Sequence, residues 1–285
     1  MEVHWLIEKN VFEDTITQNF VAAIEKQNMV VKQAEYVPFA GHALDLNYFG
    51  DDDCVVFHGS LNLAAVLSRY TKWIPGVYYT VDNYRCSTYY NYFGKYHVNN
   101  DYIMLPFGEL DRQHHFLFSK LGKENTIFVR PDSGSKQFTG QTMSLETWKA
   151  DLDLIGFYDV EDTEMVVVSS PKNIKAEYRF VVVGDEIITG CQYNAAGKYV
   201  EEAMDVGFYS SHAVVLKINE ILEGTTWRPD KVFVMDMCQV SSGECYLLEI
   251  GCFSCAGLYA CDLDMIVQEV STLAFIEHKE YQDIC

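Results

Sequence analysis

Three groups of residues in this 285-residue chain have types and spacings suited to binding phosphate and a divalent cation. The first is FVRPDSGSKQFTG, residues 128–140. A strand ends there in Arg130-Pro131, and a loop with Gly134, Lys136 and Gly140 follows. Small residues let backbone N–H groups come close to phosphate oxygens. Arg130 adds a fixed fork of donors and Lys136 a mobile point charge. The spacing is not that of a P-loop, because Lys136 precedes the second glycine. A surface hairpin with two solvated bases is the competing local reading.

The second group is IKAEYRFVVV, where Glu177 and Arg179 stand two residues apart at the start of a strand. Alternation puts both on one face, which is either a cleft lining or a solvent-facing ion pair. The third group is Asp236 in VFVMDM and Glu249 in CYLLEIG, each inside an apolar strand. If the intervening SSGE forms a hairpin, the two acids fall close together. A divalent cation then relieves their repulsion, and Mg²⁺ commonly takes one or two carboxylates plus phosphate oxygens. Two unrelated acids at strand ends is the alternative. No Ser-His-Asp or Cys-His set stands beside these groups, and His114 and His115 read as packing residues on a helix.

The background makes the few bases informative. Lys and Arg total 21 against 41 Asp and Glu, a formal net charge of −20. Such a surface repels nucleic-acid backbones and anionic lipid, which argues against bulk nucleic-acid binding. No apolar run is long enough to span a bilayer. The N-terminus MEVHWLIEKN shows no signal-peptide pattern, so a cytoplasmic setting with reduced thiols is expected. Of nine Cys, Cys252-x-x-Cys255 has paired spacing, but no second pair completes a zinc site, and small core residues are the expected role.

The elements that position these groups follow from hydrophobic periodicity. Phe12, Ile16, Phe20 and Ile24 predict a helix to about Lys26, after a strand in VHWLIEK. MVVKQAEYV and CVVFHG read as strands, and LNLAAVLSRY as a helix. Gly59-Ser60 reads as a plain βα turn, with a phosphate-binding turn as the alternative. This alternation predicts an α/β layer with a partly parallel sheet. ELDRQHHFLFSKLG predicts a helix stopped by Gly122, and SLETWKADL a short helix with Ser144 as its N-cap. TIFVRP, MVVVSSP, YRFVVV and EIITGCQY read as strands, the last two joined at Gly184-Asp185. A helix at about 211–223 follows, then a strand pair and a final helix from Asp262 to about Glu277. The tyrosine-rich stretch 78–96 is either core or a binding surface.

In order and spacing, FVRPDSGSKQFTG, VVVSSPKNIKAEYRFVVVGDEIITGCQY, WRPDKVFVMDM and CYLLEIGCFSCAGLYACD resemble the ATP-grasp superfamily. The likeness is to a phage- and bacterium-associated branch with Arg in the first phosphate-binding strand. The resemblance covers about residues 110–285 and implies an α/β pre-ATP-grasp domain at 1–108. An α+β ATP-grasp domain would follow at 109–285, with lobes of about 109–192 and 193–285 and the nucleotide between them. It implies ATP and Mg²⁺ as cofactors. Arg130 would contact the α- or β-phosphate, and Lys136 would close over the phosphates. Ser169, Ser170 and Pro171 would receive adenine, and Glu177 the ribose. Arg179 would face the phosphates or an acyl phosphate, with Asp236 and Glu249 on the metal.

One position departs from the family. Many members follow the Glu with Ile-Asn, the Asn being a metal ligand; here the run is Glu249-Ile250-Gly251. Ser254 or Asp262 is a candidate replacement. The resemblance implies an ATP-dependent carboxylate–amine ligase working through an acyl phosphate, with an amino acid, peptide or protein end as the candidate substrate. The alternatives are an ATP-grasp kinase and a degenerate nucleotide-binding interaction protein.

Overall fold

A computed structural model describes residues 2–37, 46–134, 137–207 and 209–284. Three sheets carry the chain, and their junction makes the site.

The first sheet is wholly parallel, in the order β2-β1-β3-β4. It comprises β1 (His4–Glu8), β2 (Val30–Ala34), β3 (Cys54–His58) and β4 (Ile74–Gly76). Helices α1 (Asp14–Lys26) and α2 (Leu61–Tyr70) make its crossovers. All five residues of CVVFH are buried, as a strand covered on both faces requires. Ser60 caps α2 by accepting the Leu63 N–H at 3.2 Å.

Helix α3 (Cys86–Phe93) links this layer to the second sheet. That sheet runs β5-β8-β6-β7, from β5 (Tyr102–Pro106), β6 (Thr126–Pro131), β7 (Gln141–Ser144) and β8 (Met165–Ser169). Helices α4 (Leu110–Leu121) and α5 (Trp148–Gly156) complete the lobe. Along β6, Ile127, Val129 and Pro131 are buried, and Arg130 alternates to the other face.

The third sheet is antiparallel and long-stranded, in the order β11-β10-β9-β12-β13. Its strands are β9 (Ile174–Val183), β10 (Glu186–Ala195), β11 (Lys198–Met204), β12 (Val232–Val240) and β13 (Cys245–Cys252). Gly184, at φ +61°, makes the β9–β10 turn, a conformation that glycine adopts without strain. One face packs on α3 and α6 (Ala213–Glu223) through Phe180, Phe233 and Met235. The other packs Val181, Val232 and Val234 against α7 (Leu263–Ile284) and the parallel sheet.

Several expectations need correction. A lobe boundary at 192/193 cuts through β10; the second sheet ends at Ser169 and the third begins at Ile174. A first-domain end at 108 separates β5 from its partner, because Tyr102–Pro106 pairs antiparallel with β8. Ser144 ends β7 and does not cap α5; Thr147 occupies that position. Asp151 Oδ2 accepts from both the Ser144 N–H and the Thr147 hydroxyl, which ties strand to helix start. The final helix runs on to Ile284.

Candidate active site

Strand register assembles the charged residues. Arg179 on β9 is the partner of Asp236 on β12, and Asp236 is the partner of Glu249 on β13. Register partners share a face, so the three side chains form a row across adjacent strands. Past Asp236 the ladder skips Leu248, a bulge of the kind that re-aims side chains near sites. Arg130 reaches in from β6 of the other sheet and closes the row. The charges alternate in pairs: Arg179 with Asp236, and Glu249 with Arg130.

The two pairs differ in build. Arg179 holds Asp236 through two hydrogen bonds, Nε to Oδ1 at 2.8 Å and Nη2 to Oδ2 at 2.6 Å. Its Nη1 donates to the Gly257 carbonyl at 2.7 Å. Its guanidinium lies 4.9 Å from the ring centre of Tyr259, and Tyr193 stacks on Tyr259 at 4.8 Å. Burial opposes the Arg179 charge, but the Asp236 carboxylate raises its pKa above the usual arginine value. Arg179, expected to face the phosphates or an acyl phosphate, lines the cavity described below while bonding through all three nitrogens. It fixes Asp236 and the Gly257 turn.

Arg130 Nη2 donates to Glu249 Oε2 at 2.9 Å, across the gap between the two sheets. Its surroundings are Cys86, Tyr89 and Tyr90 of α3. Burial opposes its charge, and those groups with Glu249 more than restore it.

Glu177 stands two residues before Arg179 on the same face, and Tyr193 Oη donates to it at 2.9 Å. Burial raises the Glu177 pKa; the Tyr193 hydrogen bond lowers it, and the charges of Asp236 and Glu249 push it back up. Ser169 is fully buried, and its hydroxyl has no partner among the described residues. Ser170 donates to Asp101, which also pairs with Lys172. Pro171 follows, half-buried, in the connection between the sheets. Lys136 lies outside the described residues.

Of the expected residues, Arg130, Arg179 and Glu249 line a cavity of about 220 Å³; Asp236, Glu177, Ser169, Ser170 and Pro171 do not. Arg130, Ser133 and Gly134 come from the second sheet and its loop, and Arg179, Glu249 and Gly251 from the third. Leu61, at the start of α2, comes from the parallel layer. A Cβ at Gly134 would lie 2.7 Å from the Tyr84 Cβ, so the loop needs glycine there to pass. A larger hollow of about 1100 Å³ lies elsewhere, beside the β9–β10 turn and α7; of the expected residues it is lined by Asp262 alone.

Sequence reasoning missed Tyr193 and Tyr259, which clamp Arg179. Their signal, two aromatics 66 residues apart, has no local pattern. Cys252 and Cys255, expected in the core, both line the cavity, and Cys255 is only half-buried. In the 78–96 stretch, Tyr78, Tyr84, Tyr89, Tyr90 and Phe93 are buried, and Tyr79 and Tyr84 also line the cavity. The candidate replacements for the missing amide have other duties. Ser254 is fully buried and its hydroxyl accepts the Tyr78 N–H at 2.9 Å. Asp262 accepts the Met265 N–H at the start of α7 and does not line the cavity.

Among the described residues, no three His, Cys, Asp or Glu side chains gather closely enough to hold a metal ion alone. Asp236 and Glu249, as register partners beside a cavity with two arginines, nonetheless suit Mg²⁺ that arrives with phosphate oxygens. No helix among the described residues is long and apolar enough to cross a membrane.

The profile of an ATP-grasp domain, family 2 of its clade, matches residues 114–268. No curated protein matches the chain. D-cycloserine synthetase DcsG shares the fold at 12% identity and a TM-score of 0.65, over 95% of this chain and 99% of that one. D-alanyl-alanine synthetase A from Vibrio cholerae O1 aligns with a TM-score of 0.62 at 13% identity, over 98% and 99% of the two chains. The ATP-grasp ligase PsnB, complexed with a minimal precursor, gives 0.55 at 11% identity, over 96% and 98%.

Proposed function

The chain belongs to the ATP-grasp family, and from that premise we propose that it is an ADP-forming ligase joining a carboxylate to an amine. The observation that carries this reading is the charged row Arg179–Asp236–Glu249–Arg130, three members of which line a cavity between the second and third sheets. Bases and acids so arranged suit a polyphosphate with its cation, and need no side-chain nucleophile.

In this proposal ATP enters between the second and third sheets. Arg130 leaves Glu249 for the α- or β-phosphate, and Lys136 closes over the phosphates. Ser169, Ser170 and Pro171 receive adenine, and Glu177 the ribose hydroxyls. Asp236 and Glu249 hold Mg²⁺, which supplies charge neutralisation on the transferred phosphoryl group when bound. Arg179 acts on Asp236, keeping its carboxylate in place. The substrate carboxylate attacks the γ-phosphorus, ADP departs, and an amine then displaces phosphate from the acyl phosphate. A free-thiol protein using ATP suits the cytoplasm.

The test is product stoichiometry with Mg²⁺-ATP and a panel of carboxylates and amines. The proposal expects ADP and inorganic phosphate in equal amounts with amide formed. ADP with a phosphorylated product and no free phosphate would identify a kinase. A second reading, nucleotide binding without turnover, is favoured by Gly251, which has no side-chain ligand to give. Nucleotide binding with no ADP under any pairing supports it.

A further inference from the structure

Two cysteines behind the cavity wall have no part in the nucleotide reading. Cys191 on β10 is the register partner of Arg179 on β9, so it stands beside that arginine on the same face of the sheet. Cys261 closes the turn that carries Gly257 and Tyr259, which hold the Arg179 guanidinium through a carbonyl and a ring. The two sulfurs lie 3.5 Å apart, and both side chains are buried. The cysteines are 70 positions apart in sequence, so only the packing of the turn on β10 brings them together.

Each sulfur is aimed across this contact. Cys191 Sγ lies 4.0 Å from the Leu258 carbonyl of the turn, and Cys261 Sγ lies 3.9 Å from the Arg179 carbonyl of the sheet. The Cys261 S–H donates to Cys191 Sγ. That bond holds the Cys191 thiol below the usual cysteine value, against the effect of burial. Cys191 is thus the sulfur that ionises, and a thiolate is the form that reacts with oxidants.

The pair stands between the two hollows. Gly257 and Tyr259 of the turn line the cavity of about 220 Å³. Thr189, two residues before Cys191, and Asp262, next to Cys261, line the hollow of about 1100 Å³. The Asp262 N–H donates to the Thr189 hydroxyl at 2.9 Å, which closes the turn against β10 at that point. Opening this hydrogen bond gives a water-sized oxidant in the larger hollow a route to the sulfurs.

We propose that Cys191 and Cys261 are a reversible modification site, a dithiol that hydrogen peroxide oxidises to a disulfide locking the 257–261 turn onto β10. The Cys191 thiolate attacks one peroxide oxygen and the O–O bond breaks. The hydroxide that leaves takes up the proton Cys191 has given, and Cys191 becomes a sulfenic acid. Cys261 sulfur then attacks the Cys191 sulfur, the S–O bond breaks, and the second hydroxide leaves as water with the Cys261 proton. The two thiols lose two electrons and two protons, and the peroxide becomes two waters. A disulfide holds its sulfurs about 2.0 Å apart, so the turn draws in on the sheet. The link also closes a long loop in the unfolded chain, which favours the folded state.

The experiment treats the folded full chain with hydrogen peroxide and then blocks the remaining thiols under denaturing conditions. Peptide mapping by mass spectrometry identifies any cross-link, and thermal unfolding is read before oxidation, after it, and after dithiothreitol. A link between Cys191 and Cys261 is expected, with a higher unfolding midpoint that dithiothreitol returns to its starting value. Cys191→Ala should show no such rise. Recovery of both cysteines as free thiols, or as sulfinic acids without a link, would overturn the proposal and leave them as packing residues. A link between Cys252 and Cys255 in place of this one would overturn it as well. So would a midpoint that falls on cross-linking, since the bond would then strain the turn it is proposed to lock, or a rise that persists in Cys191→Ala. The mapping is done on wild type, so a folding failure of the variant does not remove the test.

Discussion

Arg179–Asp236 and Arg130–Glu249 are the same chemistry in two mechanical settings. The first lies within one sheet, between adjacent strands, with side chains only 9% and 8% exposed. The second bridges two sheets, with 12% and 20% exposure and one hydrogen bond between its partners. A pair inside a sheet is held by the ladder whatever the lobes do. A pair between sheets exists only while the sheets are close, and under the proposed function an incoming phosphate would compete for its arginine. On that proposal one pair is scaffold and the other takes part in binding.

The largest effect should come from breaking the scaffold pair. Asp236→Ala leaves a buried guanidinium uncompensated, and such losses cost about 3–5 kcal/mol. Denaturant titration checks this; a loss below about 1 kcal/mol would mean Arg179 finds another partner and the pair is not scaffold.

Acid should bear on the inter-sheet region next. His97 is fully buried, and its pKa is down to about 3, through burial first and then the Arg130 charge. His58 is down to about 4 through burial. The unfolded chain therefore binds protons that the folded protein does not. Stability from these two is fully present above about pH 6.5 and falls as pH drops toward 4, by up to about 1.4 kcal/mol per pH unit for each. The buried carboxyls Glu8 and Glu177, raised by burial, work the other way, losing stability as pH rises through their folded values. Unfolding midpoints across pH 4–7 for wild type and His97→Gln should show a shallower acid loss in the variant. Identical slopes would remove His97 from the account.

Arg130→Met should separate the pairs most cleanly. Removing a charge-assisted phosphate contact costs about 1.5–3 kcal/mol, which is about 10- to 100-fold in ATP affinity. Stability should change far less than in Asp236→Ala. The reverse pattern, large instability with normal ATP binding, would exchange the roles of the two pairs. Tyr193→Phe should be mildest, about 1 kcal/mol from one lost hydrogen bond, with the stacked rings kept. A loss as large as that of Asp236→Ala would make Tyr193 a principal support of the charged row.

Much of the fold was legible where pattern and burial agree. LNLAAVLSRY became α2 over the same residues, and the β9–β10 hairpin follows from two apolar runs joined at Gly184. Helix α3 was not legible, because CSTYYNYF buries Cys86, Tyr89, Tyr90 and Phe93 and leaves little polar stripe to mark a face. Strand β11 is an exposed edge and β7 spans four residues, so neither has clear alternation. At the site, residue types were readable but partnership was not. Asp236 and Glu249 read as neighbours through their hairpin. That Arg179 is committed to Asp236, 57 positions away, depends on β9 lying beside β12, which no local spacing encodes.

The most direct test is calorimetric titration of Mg²⁺-ATP into wild type and Arg130→Met, each repeated without Mg²⁺. The account predicts Mg²⁺-dependent binding in wild type and at least tenfold weaker binding in the variant, with the variant still folded. Equal affinity in the two proteins, or no binding to wild type at millimolar ATP, would contradict it.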